Sequence, residues 1–202
     1  DNALLPIVYG EAYQITKDAF FLDVVTKTLD YVIREMTSPE GVFYSATDAD
    51  TNGEEGQTFV WKKREIEEVL GKESDVFCIY FDVTDGGNFE GKSILANNVK
   101  ASAIAFKFGK TEDEVNRIIS EGSSKLLQVR NKRPQPGKDD KILTAWNGLM
   151  ISAFVKGYRI SDDSKYLNIA ITATNFLQKQ FEKNGTLNRV FKDGESKLNG
   201  YL

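Results

Sequence analysis

No histidine occurs anywhere in the 202 residues. Its absence removes the Ser-His-Asp and Cys-His mechanisms, the usual zinc sites and the ordinary near-neutral proton shuttle. Acid–base work is left to carboxylates, Lys or Tyr. Cysteine is nearly as scarce: Cys78 stands alone, so neither a disulfide framework nor a Cys-x-x-Cys redox pair exists within the chain. Set in the run Val76-Phe77-Cys78-Ile79-Tyr80-Phe81, it reads as a buried structural thiol. Positive charge is not in excess, with 26 Lys plus Arg against 30 Asp plus Glu and a net charge of −4, so neither nucleic acid nor an anionic membrane is an expected partner. No apolar run approaches the roughly 20 residues of a membrane span, and nothing before the amphipathic pattern at Asp1-Asn2 resembles a signal peptide. The expectation is a cytoplasmic protein with no cofactor and no bound metal.

What is present is enough apolar surface for a core, 41% of residues with 11% aromatic, arranged mostly at helical spacing. Leu4, Leu5, Val8, Ala12 and Ile15 form one stripe after the capping candidates Asp1 or Asn2. Asp18 opens a second helix with Phe21, Val24, Val25, Thr28, Leu29, Val32, Ile33 and Met36 on one face, and the short connection predicts an antiparallel hairpin. The period then changes, and 41–45 and 57–61 read as short strands flanking an acidic loop. Helices are expected near 63–70, 74–81 and 98–108. Thr111-Glu112-Asp113-Glu114 is a capping box opening a longer helix that ends near Asn131. Two more helices are expected, 142–159 with Leu143, Trp146, Leu149, Met150, Ala153, Phe154 and Gly157 inward, and 164–181 with Leu167, Ile171, Thr174, Leu177 and Phe181 inward. A β-hairpin follows, turning at Asp193-Gly194 and running to Tyr201. The fold class expected is mainly α, layered antiparallel helical hairpins with short β-hairpins in the loops.

Two motifs match familiar patterns for different reasons. Gly86-Gly87-Asn88-Phe89-Glu90-Gly91-Lys92-Ser93 fits the phosphate-loop spacing, but Glu90 places a carboxylate among the amide donors and the segment after Ser93 is a poor helix start. Asp48-Ala49-Asp50-Thr51-Asn52-Gly53 reproduces half of a calcium loop, yet position twelve would be Phe59 where a bidentate Glu is required. The alternatives are an Asx-turn or an adventitious cation site.

Carboxylates and amides beside indoles suit neutral sugars, which need partners for hydroxyls and a flat face for ring C–H groups. Asp48, Asp50, Glu54 and Glu55 are the candidate acid and base residues, and Trp61, Asn88, Glu90, Lys92, Asp140, Trp146 and Asn147 the candidate binding residues. Bland readings stand beside these. Trp146 lies on its helix's apolar stripe and is expected in the core, Asp139 or Asp140 is expected to cap that helix, and Trp61 is open between core and ligand.

Several of these segments together, 1–5, 43–50, 53–56, 59–61, 87–92 and above all Asp139-Asp140-Lys141-Ile142-Leu143-Thr144-Ala145-Trp146-Asn147-Gly148, resemble in order the YyaL family, also called spermatogenesis-associated protein 20. The resemblance implies an N-terminal thioredoxin-like domain, absent from these 202 residues, followed by an (α/α) barrel or toroid similar to six-hairpin glycosidases and N-acylglucosamine 2-epimerases, of which residues 1–202 would form one partial (α/α)-barrel domain. In this light the Gly-Asn-Phe-Glu-Gly-Lys segment is a family signature and no nucleotide site. Two departures matter: Asn199-Gly200 precedes Tyr201 where the family has an acidic pair, and Thr47 stands where Glu or Gln is frequent. The epimerase relatives transfer protons through histidines, which this protein lacks. Two functions are therefore expected: a carbohydrate-binding or carbohydrate-processing barrel, or a non-catalytic scaffold that positions the thioredoxin-like domain or a partner protein.

Overall fold

A computed structural model describes residues 1–97 and 99–200, with side chains except at 181–184. The expected helix start at Asn98, the inward Phe181 and Tyr201 fall outside what is described. The helices are α1 (Leu4–Thr16), α2 (Ala19–Glu35), α3 (Lys63–Leu70), α4 (Ser74–Tyr80), α5 (Ala101–Phe108), α6 (Glu112–Arg130), α7 (Thr144–Ser161) and α8 (Ser164–Asn184). Short strands are β1 (Ala46–Thr47), β2 (Asp50–Thr51), β3 (Glu54–Glu55), β4 (Lys138–Asp139), β5 (Ile142–Leu143), β6 (Asn188–Lys192) and β7 (Glu195–Asn199). The protein is mainly α, with antiparallel strand pairs between the helices, and forms two compact units, 1–47 with 138–202 and 48–137. No helix among the described residues is long and apolar enough to cross a membrane.

The first unit stacks two antiparallel hairpins, α1–α2 and α7–α8, side by side, the repeating arrangement of an (α/α) toroid. The Asp18 side chain accepts from the Phe20 amide and opens α2 as expected. Val25, Leu29 and Val32 of α2 and Met36 at its C-cap meet Met150, Ala153 and Phe154 of α7 and Tyr166, Ala170 and Ala173 of α8 in one core. Phe154 stacks on Phe43 at 5.2 Å between ring centroids. Gly157 permits the closest approach, since a Cβ there would lie 2.3 Å from Leu29 Cδ1. The Tyr166 hydroxyl donates to Asp30 at 2.9 Å; burial, then Asp30, pushes its pKa up to about 12, so it stays a donor across the physiological range. The β6–β7 hairpin turns at Asp193-Gly194, as expected, and β6 pairs with β5.

Several expectations are corrected here. The first helix uses Ala3, not Asp1 or Asn2, as its N-cap, and no side group caps it. Its predicted stripe faces outward: Val8 is 63% and Ile15 82% exposed, whereas Pro6 and Gly10 are buried. Small residues let that side approach α7, where a Cβ on Gly10 would lie 2.6 Å from Lys156. Among the described side chains of α8 the buried set is Tyr166, Ala170 and Ala173, leaving Ile171 outward, for the same reason. Pairing with β6 takes Ile142 and Leu143 out of α7, which starts at Thr144 with Leu143 as N-cap. Asp139 instead accepts from the Lys141 amide and ammonium, and that ammonium bond holds its carboxyl below the usual range.

In the second unit α6 is the longest helix, and α3, α4 and α5 pack on it. Its capping box is formed: the Thr111 hydroxyl accepts from the Glu114 amide and Glu114 accepts from the Thr111 amide. Trp61, Ile66, Phe77 and Leu126 anchor one cluster and Ile104, Val115 and Ile118 another. Cys78 is buried as expected, and desolvation pushes its thiol up to about 11, which keeps it protonated and unreactive near neutrality. The strands expected at 41–45 and 57–61 form only single bridges, Thr37 with Phe43 and Trp61 with Ser93. Asn52 and Gly53, both at positive φ, instead turn a two-residue hairpin between β2 and β3. This is the primed turn that Asn-Gly favours.

Candidate functional site

The first unit contains a hollow of about 270 Å³ at the N-terminal end of α7. Its position follows from one side group. A helical residue lies about 100° round from its neighbour, so burying Asn147 turns Trp146 outward, where it is 54% exposed. Asn147 accepts from the Phe43 amide at 2.8 Å and donates to the carbonyls of Phe43 and Leu143 at 2.9 and 3.1 Å. It thereby straps the 43–45 segment beside the helix start. The Tyr44 amide donates to Met36 O, and the Ser45 hydroxyl to Asp139 O. The floor is apolar, from Val32, Met36 and Met150, while Asn2, Tyr44, Ser45 and Trp146 line the hollow as well. Apolar ring surface beside the Asn2 carboxamide and Tyr44 phenol matches the amphipathic surface of a neutral sugar.

Trp146 is thus corrected from core to open indole, and Asn147, which also lines the hollow, holds the loop through its carboxamide. Asp140 stands apart, paired with Lys192 at 2.7 Å, a contact that raises the Lys192 pKa.

The second unit brings Glu54, Glu55, Glu90 and Lys92 round a separate hollow of about 260 Å³. Glu54 accepts from Gln57 at 3.0 Å and faces Lys92 at 3.7 Å. Asp48 accepts from the Asp50 amide at 3.1 Å, which is the Asx-turn reading. All four candidate acids, Asp48, Asp50, Glu54 and Glu55, are exposed. Among the described residues no group of three or more His, Cys, Asp or Glu is arranged to hold a metal ion. Asn88 is spent on the backbone of Ile94, donating at 3.0 Å and accepting at 2.8 Å. Trp61 is 3% exposed, with the Arg133 guanidinium 3.8 Å over its ring. It belongs to the core, and its face offers nothing to a sugar.

The phosphate-loop spacing is a tight hairpin. Phe89 and Lys92 exchange backbone hydrogen bonds, and Glu90 and Gly91 both take positive φ. Gly87 passes so close that a Cβ would lie 2.1 Å from Lys92 O. No helix starts directly after the turn to receive a phosphate, α5 beginning only at Ala101.

Tyr44 and Asn2 are hollow-lining residues that sequence reasoning missed. Both sit in the segments that carry the family resemblance, but only the Asn147 bonds to Phe43 place Tyr44 beside Trp146. Arg133, the cation beneath Trp61, was also missed, since nothing in Arg133-Pro134-Gln135-Pro136-Gly137 marks its partners.

Comparisons with known proteins add two findings. A family model described as D-glucuronyl C5-epimerase C-terminus matches residues 144–199, from α7 to the end of β7. Human spermatogenesis-associated protein 20 is 29% identical over 205 residues, covering 89% of this chain and 26% of its own length. The mouse protein of that name is 30% identical over the same shares. An uncharacterized protein of Caenorhabditis elegans is 30% identical over 94% of this chain and 29% of its own length. The chain spans about a quarter of these curated relatives.

Proposed function

We propose, for a protein that belongs to the spermatogenesis-associated protein 20 family, a carbohydrate-binding role seated at the Trp146 hollow. The observation that carries it is the half-exposed indole held beside Asn2 and Tyr44. Trp146 and Asn147 also fall in the segment matched by the D-glucuronyl C5-epimerase C-terminus model, which supports a carbohydrate-related helical domain. The pyranose C–H face would stack on the indole while hydroxyls bond Asn2 and the Tyr44 phenol.

Binding without hydrolysis is the form of this role favoured. Glycoside hydrolysis takes two carboxyls about 5 to 10 Å apart, one desolvated enough to stay protonated. Asp48, Asp50, Glu54 and Glu55 are exposed and lack that desolvation. Isothermal titration of the protein with a panel of neutral sugars tests the proposal. At least one sugar should give heat, and Trp146→Ala should weaken it about tenfold or more while changing stability by under ~0.5 kcal/mol, as for an exposed residue. No heat with any sugar overturns it.

A scaffold that positions a thioredoxin-like domain or a partner protein is the second reading. Its support is that Asp48, Asn88 and Asn147 spend their polar groups on neighbouring backbone. Silence across the sugar panel favours this reading.

A further inference from the structure

A second hollow in the unit formed by residues 48–137, about 510 Å³, differs in sign from the protein as a whole. The net charge is −4, yet Lys62, Lys92 and Arg133 line this hollow against one carboxylate, Glu65. Arg133 and Glu65 answer each other at 3.2 Å. Arg133 is further committed to the carbonyls of Thr58 and Val60 at 3.0 and 2.8 Å, and Glu65 accepts from the Lys62 amide at 2.7 Å. Two ammonium groups are left. Lys62 makes no ion pair among the described residues, and Lys92 has only the 3.7 Å approach of Glu54.

The rest of the lining is of different chemistry. Asn52, held at the hairpin turn with positive φ, presents an exposed carboxamide with no hydrogen bond among the described residues. Pro134 and Val60 supply apolar surface. On the other side of Lys92 the wall turns acidic through Glu54, Glu55 and Glu90, so an anion shifted away from the two lysines meets like charge.

We propose that this hollow binds a small polyhydroxylated anion, a sugar acid or a sugar phosphate. The anionic group sits between the Lys62 and Lys92 ammoniums, a hydroxyl pairs with Asn52, and the ligand's C–H groups lie against Pro134 and Val60. The site is built from different residues than the Trp146 hollow and needs no neutral-sugar binding there.

Isothermal titration of the protein with gluconate and with glucose 6-phosphate tests it, with glucose and inorganic phosphate as controls at low ionic strength. At least one charged sugar should bind, more tightly than inorganic phosphate, and Lys62→Gln and Lys92→Gln should each weaken it tenfold or more. Circular dichroism checks that both variants keep the fold. Binding by gluconate alone identifies the sugar-acid source, and by glucose 6-phosphate alone the sugar-phosphate source. No binding of either charged sugar, equal binding of inorganic phosphate, or affinity unchanged in Lys62→Gln overturns the proposal. Neutral-sugar binding and its loss in Trp146→Ala are read in separate titrations, so either reading stands or falls alone.

Discussion

Asn147→Ala should lower the stability of the first unit by about 3 kcal/mol, seen as a shift in the urea midpoint followed by far-ultraviolet circular dichroism. The residue is 1% exposed and its carboxamide makes three hydrogen bonds, one accepted from Phe43 and two donated to Phe43 and Leu143. Truncation leaves an amide and two carbonyls without that partner in a buried place, where each unmet group costs about 1 to 3 kcal/mol. Water entering the space offsets part of that cost. Asn147→Leu keeps the branching at Cγ but not the bonds, and its methyl groups are bulkier, so it should be no better than alanine. A loss under about 1 kcal/mol in both would mean that the 43–45 segment is held by Met36 and Asp139 without Asn147.

Arg133→Met should have a comparable effect in the second unit, about 3 kcal/mol. Arg133 joins three stretches of sequence: it donates to the carbonyls of Thr58 and Val60, pairs with Glu65 and covers Trp61. Most of the loss comes from the two carbonyls and the indole face. Glu65 is half-exposed, so its share is screened by solvent. A lysine cannot reproduce the planar fork, and Arg133→Lys should recover little. The measurement is Trp61 fluorescence, read in a Trp146→Phe background: a red-shifted emission together with a lower urea midpoint is expected. An unshifted spectrum and midpoint would show that Trp61 is buried without help from Arg133.

Local chemistry was legible where a short stretch carries its own reason. Asp18, the Thr111–Glu114 box and Asp193-Gly194 state their caps and turn within four residues, and α2, α6 and the β6–β7 hairpin follow them. Which side of a helix turns inward was less legible. The first helix bears apolar groups round most of its circumference, and the inward side was decided by Pro6 and Gly10, which allow close approach to α7. The Asn52-Gly53 turn signal is present in the sequence, but it falls inside a stretch that reads as an acidic loop with strands on either side, and the hairpin forms within that loop instead. Trp146, expected in the core, turns outward, and Trp61, open between core and ligand, is buried, each for a long-range reason. Asn147 reaches Phe43 across 104 positions and Arg133 reaches Val60 across 73, and no local pattern announces either pairing. The recognisable segments were a better guide to the hollow beside Trp146 than the acidic loop, whose carboxylates proved to be solvent-facing.

The meeting of Asp48 and Gly137, whose backbones bond at 2.7 Å, makes residues 48–137 an insertion with joined ends. Just outside it Ala46 pairs with Asp139, so the parent hairpins regard ninety-odd positions of sequence as a single tight bend. If the insert melts, that bend becomes a floppy loop, and closing it is entropically harder by about 3 kcal/mol than closing a loop of a few residues. The two units are thereby linked thermodynamically through their covalent connectivity. By the same token the insert is a natural cassette: a short turn spliced between Thr47 and Lys138 should leave the surrounding hairpins able to fold.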